Sequence, residues 1–389
     1  LSIGFSYEDQ TLYHPIVSSP FFSLLINTEQ KNTGTSLRYN LRVDEHDLLV
    51  GLNYGETAVE GGNYSHEAGH RKNITTLVDN GAESLELFLV DRWQIAPRWK
   101  LIYGVQAVAA DREVRNTNVQ NGSLYNPNGD YDSVNPRAGV IYQLENDNEL
   151  FANISRLYEA PTNYELEDDS SIDNTALEAM HGKVFEMGTR GNKPLGVANH
   201  WRWELSVYYA QLQDEILSVD DPNAPGTSLS TNVDDTIHAG IESLISATFS
   251  LDANSNHRIE PLLSVTINQF SFNGDSHYGD NELPAAPGYA IKGEILYRNN
   301  NGFFAGPTFD IIDKRYADFS NTYTVDSYTL LGLRTGFTHE DWEVYGEVRN
   351  LTDKKYISLF SVRDTAAPNA AILQAGEPRS VYVGLKLEF

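Results

Sequence analysis

Val381-Tyr-Val-Gly-Leu-Lys-Leu-Glu-Phe389 closes the chain. In an extended strand Val381, Val383, Leu385, Leu387 and Phe389 fall on one side, and Tyr382, Gly384, Lys386 and Glu388 on the other. A strand with one apolar and one charged face suits a wall that separates hydrocarbon from water. The edge of a soluble sandwich would alternate in the same way, so the rest of the chain has to decide.

The two-faced pattern returns upstream. Trp203, Leu205, Val207 and Tyr209 share one side of their segment. In Leu331-Gly-Leu-Arg-Thr-Gly-Phe337, Leu331, Leu333 and Phe337 oppose Gly332, Arg334 and Gly336. In the next segment Trp342, Val344 and Val348 oppose Glu343, Tyr345, Glu347 and Arg349. Arg and Glu on facing positions of neighbouring strands fit a wet, charged lumen better than a face that merely meets solvent. The chain ends on Phe, as bacterial outer-membrane barrels commonly do.

Composition narrows the class. Lys plus Arg is 28 against 54 Asp plus Glu, a net charge of −26 over 389 residues, which argues against nucleic acid as a partner. No apolar run approaches the ~20 residues of a spanning helix. Hydrophobic content is 40% and mean hydropathy is −0.41, so the membrane reading rests on alternation. The 22 Tyr and 16 Phe fit aromatic girdles at two interfaces. With no Cys, disulfides and thiolate metal sites are excluded. No signal peptide is present, and Leu1 opens directly into strand-like sequence, so the chain reads as cut from something longer.

Strand-like segments are expected near 326–337 and 341–350, 288–298 and 302–313, 236–251 and 256–270, 181–191 and 200–217, 134–143 and 148–157, 83–93 and 98–110, and 33–43 and 47–56, with 1–10 standing alone. That gives about sixteen strands, and the fold class is all-β, a transmembrane antiparallel β-barrel. Short polar turns, such as Thr338-His-Glu-Asp341, follow every second strand. The other connections are long: 11–32, 57–82, 111–133, 158–180, 218–235, 271–287, 314–325 and 351–379. Short turns on one edge and long loops on the other are the outer-membrane pattern.

Three segments resemble TonB-dependent outer-membrane receptors. They are Ser155-Arg-Leu-Tyr-Glu-Ala-Pro-Thr-Asn-Tyr-Glu-Leu166, Thr231-Asn-Val-Asp-Asp-Thr-Ile-His-Ala-Gly-Ile-Glu242, and Val348-Arg-Asn-Leu-Thr-Asp-Lys-Lys-Tyr356 followed by Gly376-Glu-Pro-Arg379. The resemblance is specific over 148–389 and rests on strand-and-loop pattern before that. One departure is Glu159, where the family usually has Arg. The resemblance implies the last sixteen strands of a 22-stranded barrel, with residues 1–389 a partial barrel and the plug, the TonB box and the first strands absent. It implies a receptor in the bacterial outer membrane that captures a ferric siderophore or similar nutrient complex and imports it with TonB-derived energy. The protein would be a monomer, not an enzyme, and without a cofactor. A passive sixteen-stranded porin is the alternative, but porins lack Ala160-Pro161-Thr162 and Asn350-Leu351-Thr352-Asp353. Haem, zinc, cobalamin or another cofactor remains open as cargo.

His66-Glu-Ala-Gly-His70 satisfies the H-E-x-x-H pattern of zinc peptidases. That chemistry needs both His on one helix face, and the flanking Gly61, Gly62 and Gly69 resist a helix. A solvated loop with two incidental His is the expectation. Asn126-Pro-Asn-Gly-Asp-Tyr-Asp132 offers oxygen ligands for calcium, and polar turn chemistry explains it equally well.

Cargo of the implied kind is held by loop aromatics and cations. The strand mapping offers Tyr64, His66, His70 and Arg71 in the second loop, and Tyr125 and Tyr131 in the third. Further on lie Tyr158, Tyr164 and His181, then His277 and Tyr278, then Arg315, Tyr316, Phe319 and Tyr323, and finally Arg363. Anion binding is expected to concentrate where cations break the acidic background, at Arg71-Lys72 and Lys314-Arg315-Tyr316.

Overall fold

The last strand keeps its two faces. Ser380–Leu387 pairs antiparallel with Trp342–Arg349, Val381 opposite Val348 and Leu387 opposite Trp342. Val383 is 79% exposed and Leu385 64%, the outward position expected of residues meant for lipid. The computed structural model describes residues 1–18, 23–169, 176–196, 199–220 and 228–388. Phe389, the last member of the apolar stripe, lies outside them.

Among the described residues are sixteen long antiparallel strands. In chain order they are β1 Ser2–Ser18, β2 Ser23–Val43, β3 His46–Glu67, β4 His70–Ala96, β5 Trp99–Glu113, β6 Asn128–Gln143, β7 Glu149–Glu159 and β8 Met180–Pro194. The rest are β9 His200–Gln213, β10 Thr236–Ser250, β11 His257–Phe272, β12 Tyr289–Asn299, β13 Phe303–Ile312, β14 Tyr328–His339, β15 Trp342–Arg349 and β16 Ser380–Leu387. One short helix, α1, spans Asn163–Glu167.

The chain divides into two compact units. The first holds residues 1–139, 155–183 and 213–233. Its ladder runs β1–β2, β2–β3, β3–β4 and β4–β5. The second holds residues 140–154, 184–212 and 234–389, with its ladder running β9–β10 and onward, neighbour by neighbour, to β15–β16.

Strand strength comes from two sources. Neighbouring backbones satisfy each other's N–H and C=O groups, a requirement in hydrocarbon. On the polar face, long side chains interlock. The Arg334 guanidinium lies 3.7 Å from Glu294 and 3.9 Å from Glu343, over the rings of Phe304 and Tyr345. Arg298 bonds Glu260 at 2.7 Å and covers the other part of Phe304, which is fully buried. The facing Arg and Glu expected from sequence are therefore one connected polar layer.

Two expected loops are strand instead. Residues 11–32 and 57–82 largely continue the ladders of β1–β2 and β3–β4. β3 turns into β4 through Ala68 and Gly69 alone, both at positive φ (49° and 83°). Such a two-residue turn matches the strand twist, and glycine takes the left-handed position without strain.

Candidate functional site

The β3–β4 turn carries the H-E-x-x-H residues. His66 closes β3 and His70 opens β4, so they stand on opposite strands, with Glu67 facing His70 and His66 facing Arg71. The ring of His66 is buried, and its Nδ1 accepts the Gly69 N–H at 3.2 Å. A hairpin cannot present the helical i, i+4 pair that a zinc peptidase requires. Arg71 is held in place: its guanidinium stacks on Tyr64 at 4.7 Å and donates to Asn27 at 2.7 Å. Lys72 pairs with Glu67 at 3.0 Å. His66→Ala with His70→Ala is expected to leave the strand content unchanged by circular dichroism, and zinc-dependent peptide hydrolysis should be absent from both proteins.

A second group assembles around α1. Thr162 caps the helix by accepting the Glu165 N–H, while the Glu165 carboxylate accepts the Thr162 N–H at 2.8 Å. Each orphan N–H of the first turn satisfied in this way stabilises so short a helix. Pro161 is buried and its carbonyl accepts from Arg112 Nε at 2.9 Å. The Ala-Pro-Thr sequence thus fixes where β7 ends and the helix begins. Leu166 packs with Val114 and Leu177.

Two aromatic candidates are spent on this assembly. Tyr125 donates its hydroxyl to the Leu166 carbonyl (3.2 Å) and Tyr131 to that of Leu177 (2.9 Å). Burial, then nearby carboxylates, push the Tyr125 phenol up to about 12. Tyr164, 73% exposed, keeps a free ring face. Tyr158 buries its hydroxyl with no hydrogen-bond partner among the described residues. His181 lies 3.6 Å from Asp214. Glu167 is raised above its ordinary value by burial, and burial with the Glu167 charge pushes Asp168 up to about 6. Within residues 126–132, Asn128 accepts the Val114 N–H through its Oδ1.

The third group lies in the long connections after β11, β13 and β15. Asp318 is fully buried and organises them. It accepts the backbone N–H groups of Thr322, Tyr323 and Ala366 and the Thr322 hydroxyl. Arg315 is not the exposed cation that the sequence suggests. It is 8% exposed, donates to the carbonyls of Ile357 and Ser358, and lies over Tyr328 and Phe360. The reason is local: with carbonyls and aromatic rings on hand, the weakly hydrated guanidinium exchanges water for them. Phe319 is buried too, against Phe272 and Tyr278 at 5.9 and 5.2 Å. His277 meets Tyr278 edge-on at 4.6 Å. Tyr323 packs on a small core of Ala317, Val325, Phe360, Ala366 and Ile372. Arg363 joins through its backbone to Ala317 and Phe319. Lys314 remains exposed above the Tyr316 ring, 5.4 Å away.

Sequence reasoning missed the cations beside this core. Lys354 and Lys355 are exposed and line a cavity of about 890 Å³ with Tyr323, Asp326 and Tyr356. Tyr356 is held by a tilted contact with the Tyr328 ring (4.5 Å between centroids, 45° between planes) and by Gly376, where any side chain would strike its ring. Asn350 holds the segment, accepting the Lys354 N–H and donating to the carbonyls of Lys354 and Glu377. The adjacent lysines were the available signal.

Residues 1–351 match the TonB dependent receptor-like β-barrel family, and the chain belongs to it. It is an outer-membrane β-barrel of a family of transporters rather than enzymes. It is 20% identical over 287 residues to a probable TonB-dependent siderophore receptor, PiuA of Acinetobacter baumannii, covering 72% of this chain and 38% of that protein. The ferric yersiniabactin uptake receptor FyuA of Yersinia pestis superposes with a TM-score of 0.74 at 16% identity, over all of this chain and 58% of that one. The copper transporter OprC gives a TM-score of 0.79 at 15% identity, over 100% of this chain and 62% of OprC. The chain thus spans less than two thirds of the length of each of these relatives.

Proposed function

We propose that the protein to which this chain belongs takes up an anionic iron chelate of the siderophore kind across the outer membrane, with energy delivered through TonB. The observation that carries the cargo class is the pair of adjacent exposed lysines, Lys354 and Lys355, which offset Asp326 and Asp353 in an open cavity of a chain with net charge −26. Cations on a strongly acidic surface draw an anion to one place and discourage it elsewhere. Likeness to a siderophore receptor along 72% of the chain supports the same reading.

Two measurements test this. Lys354→Gln with Lys355→Gln should weaken binding of an anionic ferric chelate about twofold to thirtyfold, since each exposed charge contributes about 0.2–1 kcal/mol. The loss should shrink at high salt, where exposed charges are screened. Uptake by the whole protein should vanish in cells lacking TonB. Equal, unsaturable passage of small solutes with and without TonB would make it a porin instead.

A further inference from the structure

Two amide oxygens beside α1 are buried without a donor among the described residues. Asn116 donates its Nδ2 to Glu167 Oε1 at 2.6 Å. Its Oδ1 is buried and has no hydrogen-bond partner among the described residues, and the residue as a whole is only 9% exposed. Asn163 donates its Nδ2 to the Gly81 carbonyl at 2.7 Å, and its Oδ1 is equally buried and unpartnered. Asn163 and Glu167 stand four residues apart on α1, hence on one helix face. Asn116, Asn163, Glu167 and Asp168 all line the same cavity, about 1280 Å³ in volume.

An amide has one oxygen and two N–H donors, so its orientation can be chosen to suit the site. Here the donors of both amides are engaged with a carboxylate and a backbone carbonyl. Turning either amide over would set an oxygen against an oxygen. Both carbonyl oxygens therefore remain as acceptors, that of Asn116 next to the Glu167 carboxylate and that of Asn163 one helix turn before Glu167 on the same face. A buried acceptor with no donor is unfavourable, and native structures rarely leave one without a protein group, water or ion. What satisfies several such oxygens at once is a positive charge without directional demands.

We infer that the oxygens of Asn116, Asn163, Glu167 and Asp168 form a binding site for a hard divalent cation of the calcium type. Calcium takes carboxylate and amide oxygens in flexible geometry and keeps waters where the protein supplies too few. Only two of the four ligands are carboxylates, and a small acidic count suits modest affinity at a cell surface. The cation would join α1 to the connection after β5, two segments that also meet through the Leu166 and Tyr125 contacts. This inference is independent of the cargo.

Terbium, whose emission is sensitised by nearby tyrosines, is the probe, used on the folded chain in detergent and displaced with calcium. The expected result is saturation at one ion per chain, with calcium competing. Glu167→Gln, which keeps a partner for Asn116, should weaken binding at least tenfold. Glu113→Gln, which removes a carboxylate paired with Arg115 outside the set, should leave it unchanged. Asn116→Asp adds a charge to the set and should tighten binding several-fold. Absence of saturable terbium and calcium binding by the wild-type protein would overturn the assignment. So would a Glu167→Gln protein that binds like wild type, or a loss of affinity in a folded Asn116→Asp protein.

Discussion

Arginine at Leu385 or Leu333 should destabilise the barrel by about 2–4 kcal/mol, as charged side chains do on the lipid face near mid-bilayer. Both leucines point outward, 64% and 42% exposed. Arginine at the neighbouring Gly384 or Gly332 acts differently. A side chain at Gly384 meets the ring of Tyr345, and one at Gly332 meets the Thr308 hydroxyl, so the cost there is crowding on the polar face. The measurement is a folding titration into vesicles of increasing bilayer thickness. The cost at Leu385 and Leu333 should follow the depth of the substituted site, and the cost at the glycines should not. Equal dependence on thickness at all four positions would contradict the assignment of faces.

Asp318→Ala should be the most damaging change in the connections. It strips one acceptor from three backbone N–H groups and a hydroxyl in a site closed to water. Each buried donor left without a partner costs about 1–3 kcal/mol, so with four donors a total of at least about 4 kcal/mol is expected. That exceeds what a set of local loops retains, so protease nicking within 313–326 and 357–375 is the readout. The pH dependence has a definite sign. Burial alone would raise the Asp318 carboxyl, but hydrogen bonds from Thr322, Tyr323 and Ala366 outweigh it and leave the group below its ordinary value. A carboxyl lowered in the fold contributes stability above its unfolded pKa, which is lost as pH falls through the folded one. Nicking in the wild type should therefore stay constant from neutral pH to about 4 and rise only in stronger acid. Asp318→Asn, which cannot accept on both sides, should be nicked at every pH.

Alternation was legible wherever one face meets lipid. The hairpins at 236–251 and 256–270, and at 326–337 and 341–350, lie within two residues of their expected places. The reading fails beyond the membrane. Thr28-Glu-Gln-Lys-Asn32 is polar on both faces, so nothing in its periodicity marks it as strand, yet each residue is paired to both neighbours. There the ladder is held chiefly by backbone bonds, which leave no trace in side-chain chemistry. Helix α1 falls in the expected long connection 158–180 and was missed there, although Thr162 and Glu165 supply the capping box that marks it. Of the candidate ligand contacts, Arg315, Phe319, Tyr125 and Tyr131 are used up in building the connections. Sequence shows which side chains can stack or carry charge. It does not show which of them the fold consumes.

The β3–β4 hairpin runs 22 and 27 residues, whereas about 9–11 residues suffice to cross a bilayer. Over most of that length every row is bonded across, from His46–Trp93 up to Glu67–His70. A ribbon locked in this way behaves as a mast. It cannot fold over an opening as a flap would, and it gives up little entropy when something touches it. The mast instead sets a fixed height at which a large molecule approaching from outside first meets this part of the protein.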